Sequence, residues 1–272
     1  CYQAFSGYPS VQFGLEQAYR DWLHGGKRLL FDTPFSRGEA SMPINGLIWM
    51  NQAPVMRQAM DEKIANGFSC LKLKIGAIDW EQEIGLIRKV RQQYSANELK
   101  IRVDANGAFG EEEALEKLDQ LAFYHVHSIE QPLPKREADA TARLCRKASL
   151  PIALDEELIG YTSFADKAAL LDHIQPAFII LKPSLIGGFQ HADEWIRLAS
   201  ERNVGWWATS ALESNIGLNA IAQWTATYPV THYQGLGTGG LYTNNIPAPL
   251  YIKGDQLCHG SATHWDLSSL HC

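Results

Sequence analysis

LKIRVDANGAF, residues 99–109, decides how this chain reads. It is a short apolar run of strand character that closes on an acidic residue, Asp104, just before a turn signal at Asn106-Gly107. Working outward, the same construction recurs. HSIEQP at 127–132 closes on Glu130, and LPIALDEE at 150–157 closes on Asp155, spacings of 26 and 25 residues. Upstream, CLKLKIG at 70–76 ends in the pair Lys72 and Lys74; downstream, FIILKPS at 178–184 ends in Lys182. A strand with its helix takes roughly 25–30 residues in a repeating α/β fold. Five successive units therefore deliver Lys, Asp, Glu, Asp and Lys to one edge of one structure.

The neighbouring sequence extends the pattern in both directions. Strands are expected at 44–50, 70–76, 100–106, 127–132, 151–157, 178–183, 204–210 and 232–238. Helices are expected over about 54–66, 80–94, 111–124, 138–148, 163–171, 188–203 and 216–226. The strands are near-continuous apolar runs, as both-face burial requires. Eight strands alternating with seven helices predict an α/β fold, a (β/α)7β TIM-like barrel, rather than an open doubly wound sheet. No GxGxxG follows the first strand, which argues against a dinucleotide site. Before the series, residues 9–24 predict a helix with Pro9 in its first turn and Val11, Leu15, Ala18, Tyr19 and Trp22 along one side. Residues 25–42 read as a connection. After it, 250–258 predicts a hairpin about Gly254-Asp255. The two ends together suit a small second domain.

Composition excludes several classes. The 272 residues suit one large α/β barrel domain or two smaller ones, with 46% hydrophobic and 20% charged residues. The net charge of −6 is spread along the chain without a basic block, so no nucleic-acid partner is expected. Runs such as AFIIL and GLIWM are far too short to cross a bilayer, so no membrane partner is expected either. Five cysteines without CxxC spacing, and no secretory signal at the start, predict free thiols in a reducing cytoplasm. The chain starts at Cys1 rather than Met, and the expectation is that its natural beginning is missing.

In a barrel of this kind the active site lies at the C-terminal strand ends, where all five charged groups fall. Period-two alternation puts Lys72 and Lys74 on one face, and likewise Arg102, Asp104 and Asn106. Three converging carboxylates repel unless a cation joins them, and all-oxygen ligation favours Mg2+, with Mn2+ as an alternative occupant. Lysine is a poor base at its free pKa of about 10.4 and improves when burial and neighbouring positive charge lower it. Lys72, one layer below, is expected to supply that charge, making Lys74 the base. The predicted chemistry is proton abstraction beside a carboxylate, with the metal stabilising the enediolate.

KLKIG, VDANGAF, IEQP, LDEE and LKPSLIGG resemble the muconate-lactonizing branch of the enolase superfamily over residues 43–240. The resemblance implies a (β/α)7β barrel with a small α+β capping domain drawn from both termini. The division expected is 1–42 as the remnant of the N-terminal cap, 43–240 as the barrel and 241–272 as the segment returning to the cap. It implies Mg2+ on Asp104, Glu130 and Asp155, and acid/base lysines at Lys74 and Lys182, supported by Lys72. Strand eight ends GLGTGG without the Asp-x-Asp of dipeptide epimerases, and strand seven ends WATSALESN without the His of mandelate racemase-like enzymes. SALESNIGL at 210–218 with GLGT at 235–238 looks most like the o-succinylbenzoate synthases, hydro-lyases of menaquinone biosynthesis acting on a small-molecule carboxylate. N-acylamino acid racemases, dipeptide epimerases and muconate cycloisomerases of the branch are the alternatives; a non-catalytic, metal-stabilised ligand-binding barrel is a remoter one.

By that likeness Lys182 acts electrostatically rather than as a second base. Ser210 and Ser214, with the amides of the 210–216 turn, either hold a succinyl carboxylate or cap the next helix. Arg102 and Asn106 either contact the ring carboxylate or order the metal ligands. A homo-oligomer is compatible with the sequence.

Overall fold

The computed structural model describes residue 5, residues 7–260 and residues 265–268. In chain order its elements are α1 (Pro9–Leu23), β1 (Ser41–Pro43), β2 (Gly46–Ile48), α2 (Ala53–Ala65), β3 (Cys70–Lys74), α3 (Trp80–Arg91) and β4 (Lys100–Asp104). Then come α4 (Glu111–Phe123), β5 (Ser128–Glu130), α5 (Ala138–Lys147), β6 (Ile152–Leu154), α6 (Phe164–Ile174), β7 (Phe178–Leu181), α7 (Pro183–Ile186) and α8 (Gly188–Glu201). β8 (Gly205–Ala208), α9 (Asn215–Thr225), β9 (Leu250–Lys253) and β10 (Gln256–His259) complete the series. Strands β2 to β8 form one sheet in sequence order, and β1, β10 and β9 form a second. The fold is α/β, a curled parallel sheet whose strands alternate with helices, accompanied by a small antiparallel sheet.

The chain divides into two compact units. One comprises Asn45–Ile180 and Trp195–Trp206; the other comprises Cys1–Ile44, Leu181–Glu194 and Trp207–Cys272. In the first, β2 to β7 pair in parallel without slippage. Ile48, Leu71, Leu73, Ile101, Val103, Ile129 and Leu154 on one face, and Lys72, Arg102, Ser128, Glu130 and Ala153 on the other, are all at most 3% exposed, so both sheet faces are covered and the expectation of doubly buried strands holds. Two rows of residues run across adjacent strands. Lys72, Arg102 and Ser128 lie side by side, and Lys74, Asp104 and Glu130 lie side by side one pair further along.

The chain leaves β3 at Gly76, where φ is +88° and a Cβ would lie 2.5 Å from that of Ala108. The amide there donates to the Glu83 carboxylate at 2.8 Å, and Ala77 N–H does so at 3.2 Å, so α3 fastens the turn that follows Lys74. Gly76→Ala combines left-handed strain of about 1–2 kcal/mol with a steric clash. We expect a stability loss of at least about 2 kcal/mol, read as a lower denaturant midpoint at unchanged slope.

In the second unit, β10 pairs antiparallel with both β9 and β1. The hairpin expected at 250–258 is present, and β1, whose residues 41 and 42 read as connection in the sequence, pairs with it as a third strand. The face of α1 drawn from spacing is not the buried one. Val11, Leu15, Tyr19 and Trp22 are 39–72% exposed, whereas Gln12 and Phe13 are buried. Polar contacts turn the helix that way: Ser10 Oγ donates to Ser184 O at 2.8 Å, and the Glu16 carboxylate accepts from Phe189 and Gln190 N–H. Phe13 completes the contact edge-on to Phe189 at 5.3 Å.

The eighth strand is also reduced. Residues 232–238 contribute two isolated parallel bridges, Gln234 to Ile44 and Gly235 to Thr209, instead of a continuous strand. A side chain at Gly235 would collide with Thr209, so this close backbone approach demands glycine, and glycine gives a ladder no side-chain packing. The expected free thiols are found at Cys70, Cys145 and Cys258, while Cys1 and Cys272 lie outside the described residues. Among the described residues no helix is long and apolar enough to cross a membrane.

Candidate active site

The three carboxylates picked out by spacing meet. One oxygen each from Asp104, Glu130 and Asp155 lie within 4.8 Å of one another, and all three residues are at most 2% exposed. Among the described residues no other group of three His, Cys, Asp or Glu side chains meets this way. Register explains the convergence. Asp104 and Glu130 are direct neighbours on β4 and β5, and Glu130 is paired with Ala153 on β6, two residues short of Asp155 and therefore on the same face.

Two lysines enter the cluster from β3. Lys72 Nζ lies 2.9 Å from Asp104 Oδ2 and donates a short hydrogen bond to Glu130 Oε2. Lys74 Nζ, nearer the strand end, donates to Asp104 Oδ2 at 2.6 Å and to Asn106 Oδ1 at 2.7 Å. Asn106, at φ +44°, also gives its amide N–H to Asp104 Oδ1 at 3.0 Å and its side-chain NH2 to Glu156 Oε1 at 2.9 Å. Lys72 was expected to lend its positive charge to Lys74. It does lie one layer below, but two carboxylates hold that charge.

The charge balance shows why a cation belongs here. Burial alone would favour neutral lysine, yet Asp104, Glu130 and Asp155 together hold the Lys72 ammonium above the usual lysine range. Burial would likewise push Asp104 up, but Lys72 and Lys74 outweigh it and hold its carboxyl well below the usual carboxylate range. Glu130 is the group left over. Burial, with the like charges of Asp104 and Asp155, pushes it up to about 7 against the opposing effect of Lys72. Its Oε1 is buried and accepts no hydrogen bond. A buried carboxylate oxygen without a donor is costly, and a divalent cation would satisfy it. The donor set, all oxygen and anionic, fits a divalent metal of the hard type.

Arg102 is completely buried in the lower row, between Lys72 and Ser128. Sequence reasoning passed over Gln131, which is 1% exposed and whose side-chain carbonyl accepts from the backbone of Asp155. The only signal in the sequence was its place directly after Glu130.

The remaining candidates lie in the other unit. Lys182 is half-buried directly after β7 and forms the N-cap position of α7. Ser210 is buried, with its Oγ 2.7 Å from Thr238 Oγ1 and accepting from Leu212 N–H at 3.3 Å. This contact joins the SALES and GLGT motifs. Ser214 occupies the N-cap position of α9 without a side-chain capping bond. Glu213 organises the turn instead, accepting from Ala211 N–H at 2.8 Å and from Ser184 Oγ.

Comparison with known proteins agrees with this geometry. Residues 55–256 match the Enolase C-terminal domain-like family. An o-succinylbenzoate synthase of Desulfotalea psychrophila is 52% identical over 92% of this chain and 68% of its own length. The crystal structure of MenC from the same organism superposes with a TM-score of 0.87 at 51% identity, covering 92% of this chain and 69% of that one. An N-succinylamino acid racemase of Amycolatopsis is 26% identical over 93% of this chain and 67% of its own length. The chain belongs to the enolase superfamily, within the family of the o-succinylbenzoate synthases.

Proposed function

We propose that the protein is a Mg2+-dependent lyase that dehydrates 2-succinyl-6-hydroxy-2,4-cyclohexadiene-1-carboxylate to o-succinylbenzoate, in the cytoplasm and on the route to menaquinone. The observation that carries this reading is the row Lys74–Asp104–Glu130, which sets a lysine beside a buried carboxylate cluster. Lys74 Nζ takes the proton α to the ring carboxylate, held in place by Asp104 and Asn106. A divalent cation on Asp104, Glu130 and Asp155 would supply the positive charge that stabilises the anion left behind. The proton gathered by Lys74 is then available to the departing hydroxyl, so water leaves and the ring becomes aromatic. One base suffices for that sequence.

The remaining roles follow from position and resemblance. Lys182, at a strand end, steadies the anion electrostatically without transferring a proton. The Ser210–Ser214 turn holds the succinyl carboxylate with hydroxyl and amide donors. Asn106 orients the base, and Arg102 supports the row above it or meets the ring carboxylate. Residues 43–240 form the catalytic barrel, with 1–42 and 241–272 as parts of its cap.

Racemisation of N-succinylamino acids is the second reading, favoured by the likeness to the Amycolatopsis enzyme and by the presence of both Lys74 and Lys182. Assaying the cyclohexadiene acid and N-succinylamino acids side by side, with Mg2+ and with EDTA, separates the two. We expect dehydration that EDTA abolishes and Mg2+ restores. Turnover of the N-succinylamino acids alone would defeat the synthase reading.

A further inference from the structure

Gln131 sits where β5 ends, immediately after Glu130, with φ +38°. Residues with side chains other than Asn, Asp and His seldom hold this left-handed conformation unless their surroundings enforce it. Here five hydrogen bonds do so, the first from Gly107 N–H to the backbone carbonyl at 2.7 Å. The backbone N–H donates to Ala153 O at 2.9 Å. The side-chain Oε1 accepts from Asp155 N–H at 3.1 Å and from Glu157 N–H at 3.2 Å. The side-chain Nε2 donates to Leu133 O at 2.9 Å. Two N–H groups at one end of the amide and a carbonyl at the other leave it a single orientation. A carboxylate could not make the bond to Leu133, and a shorter amide could not span to β6.

Asp155 needs such a clamp. β6 ends at Leu154, and Asp155 has φ −124° and ψ −87°, which is neither strand nor helix. Its N–H is held by the Gln131 side chain, as is the N–H two residues on. The Glu157 carboxylate continues the restraint by accepting from Arg136 N–H at 2.7 Å.

We propose that Gln131 is a positioning residue for the cation site. By clamping the Asp155 and Glu157 amides it ties the turn after β6 to the residue that follows Glu130, and so fixes the separation of the two carboxylates. The proposal rests on the reading of Asp104, Glu130 and Asp155 as a divalent-cation site. A filler of the β5–β6 junction would affect only folding stability. A positioning residue affects the affinity for the ion in protein that is fully folded.

The test is Mn2+ titration of the metal-free protein, with free ion read from its paramagnetic resonance sextet, well below the unfolding temperature. Gln131→Met keeps the length and removes every polar contact of the side chain. Its dissociation constant is expected to rise about 10- to 100-fold, the range found when groups that orient metal ligands are removed. Gln131→Asn keeps the amide but cannot reach Asp155, and it is expected to show the same loss if the methionine variant fails to fold. A folded variant that binds Mn2+ within about threefold of the wild type overturns the proposal, whatever its thermal stability. A wild-type protein that leaves the sextet undiminished overturns instead the cation-site reading beneath it.

Discussion

Lys74→Ala is expected to lower kcat for dehydration by about 10^3- to 10^4-fold, the upper part of the range for loss of a positioned base. Lys74 Nζ is the one amine in the upper row, 2.6 Å from Asp104 Oδ2 and 2.7 Å from Asn106 Oδ1, with 13% of its side chain exposed to receive a substrate. Lys72 cannot stand in for it. Its ammonium is buried in the lower row and surrounded by carboxylates that keep it protonated. Removing Lys74 also takes one ammonium away from Asp104, so affinity for Mg2+ should hold or rise. Lys74→Arg adds a control, because arginine keeps the charge but does not surrender its proton. Both variants should be inactive in a steady-state assay while still binding Mg2+ by calorimetry. Dehydration within tenfold of the wild type in Lys74→Ala would end the assignment of the base.

Lys72→Met should have the largest effect on the metal-free fold. It removes the ammonium from a buried pair and strands Asp104 and Glu130 with one counter-ion fewer. Breaking such a pair from one side typically costs about 3–5 kcal/mol. At 2–4 °C per kcal/mol for a protein somewhat smaller than this one, the melting temperature should fall by roughly 10 °C. Saturating Mg2+ should return much of it, since a cation replaces the missing charge and stabilises by mass action.

The loss should also depend on pH. Glu130 is already held up at about 7 by burial and by its like-charged neighbours, even with Lys72 beside it. A carboxyl whose folded pKa is raised gives stability that is complete below its unfolded pKa of about 4.3 and disappears as pH rises through the folded value. Without Lys72 that folded value moves higher still. The gap in melting temperature between variant and wild type should therefore widen from pH 6 to pH 8. A gap that stays constant, or that Mg2+ leaves untouched, would show that Lys72 is not the counter-ion of the cluster.

Much of the site was legible because period-two alternation and a constant unit length are properties of sequence. They suffice to place Lys74, Asp104 and Glu130 on one face at one level, and that is where the sheet register has them. They say nothing about sideways reach. Gln131 acts across to the next strand from a left-handed backbone, and its role depends on a torsion that the letters EQP do not encode. Ser214 had the residue type of a helix cap, yet Glu213 took over the local donors and Ser214 makes no capping bond. The apolar side of α1 was identified correctly as a set, but Glu16 and Ser10 turned the helix so that this set faces outward. The weakest strand was weakest for a reason visible afterwards. A glycine needed for close approach at Thr209 also deprives residues 232–238 of ladder-stabilising side chains.

The row arrangement has a consequence for how the molecule matures. Each carboxylate comes from a different strand, and their meeting depends on β4, β5 and β6 being paired in one register. No local stretch, and no pair of neighbouring units, carries all three. A slip of one residue at either seam would turn a whole strand's side chains to the opposite face and remove its ligand from the group. Such non-local pairings are the slow part of folding, because loop closure precedes any reward from contact. Capture of a divalent ion would thus read out one long-range step: a chain in which β4, β5 and β6 are not yet paired in register brings two of the carboxylates together at most, and only their joint pairing makes a place for the ion to stay.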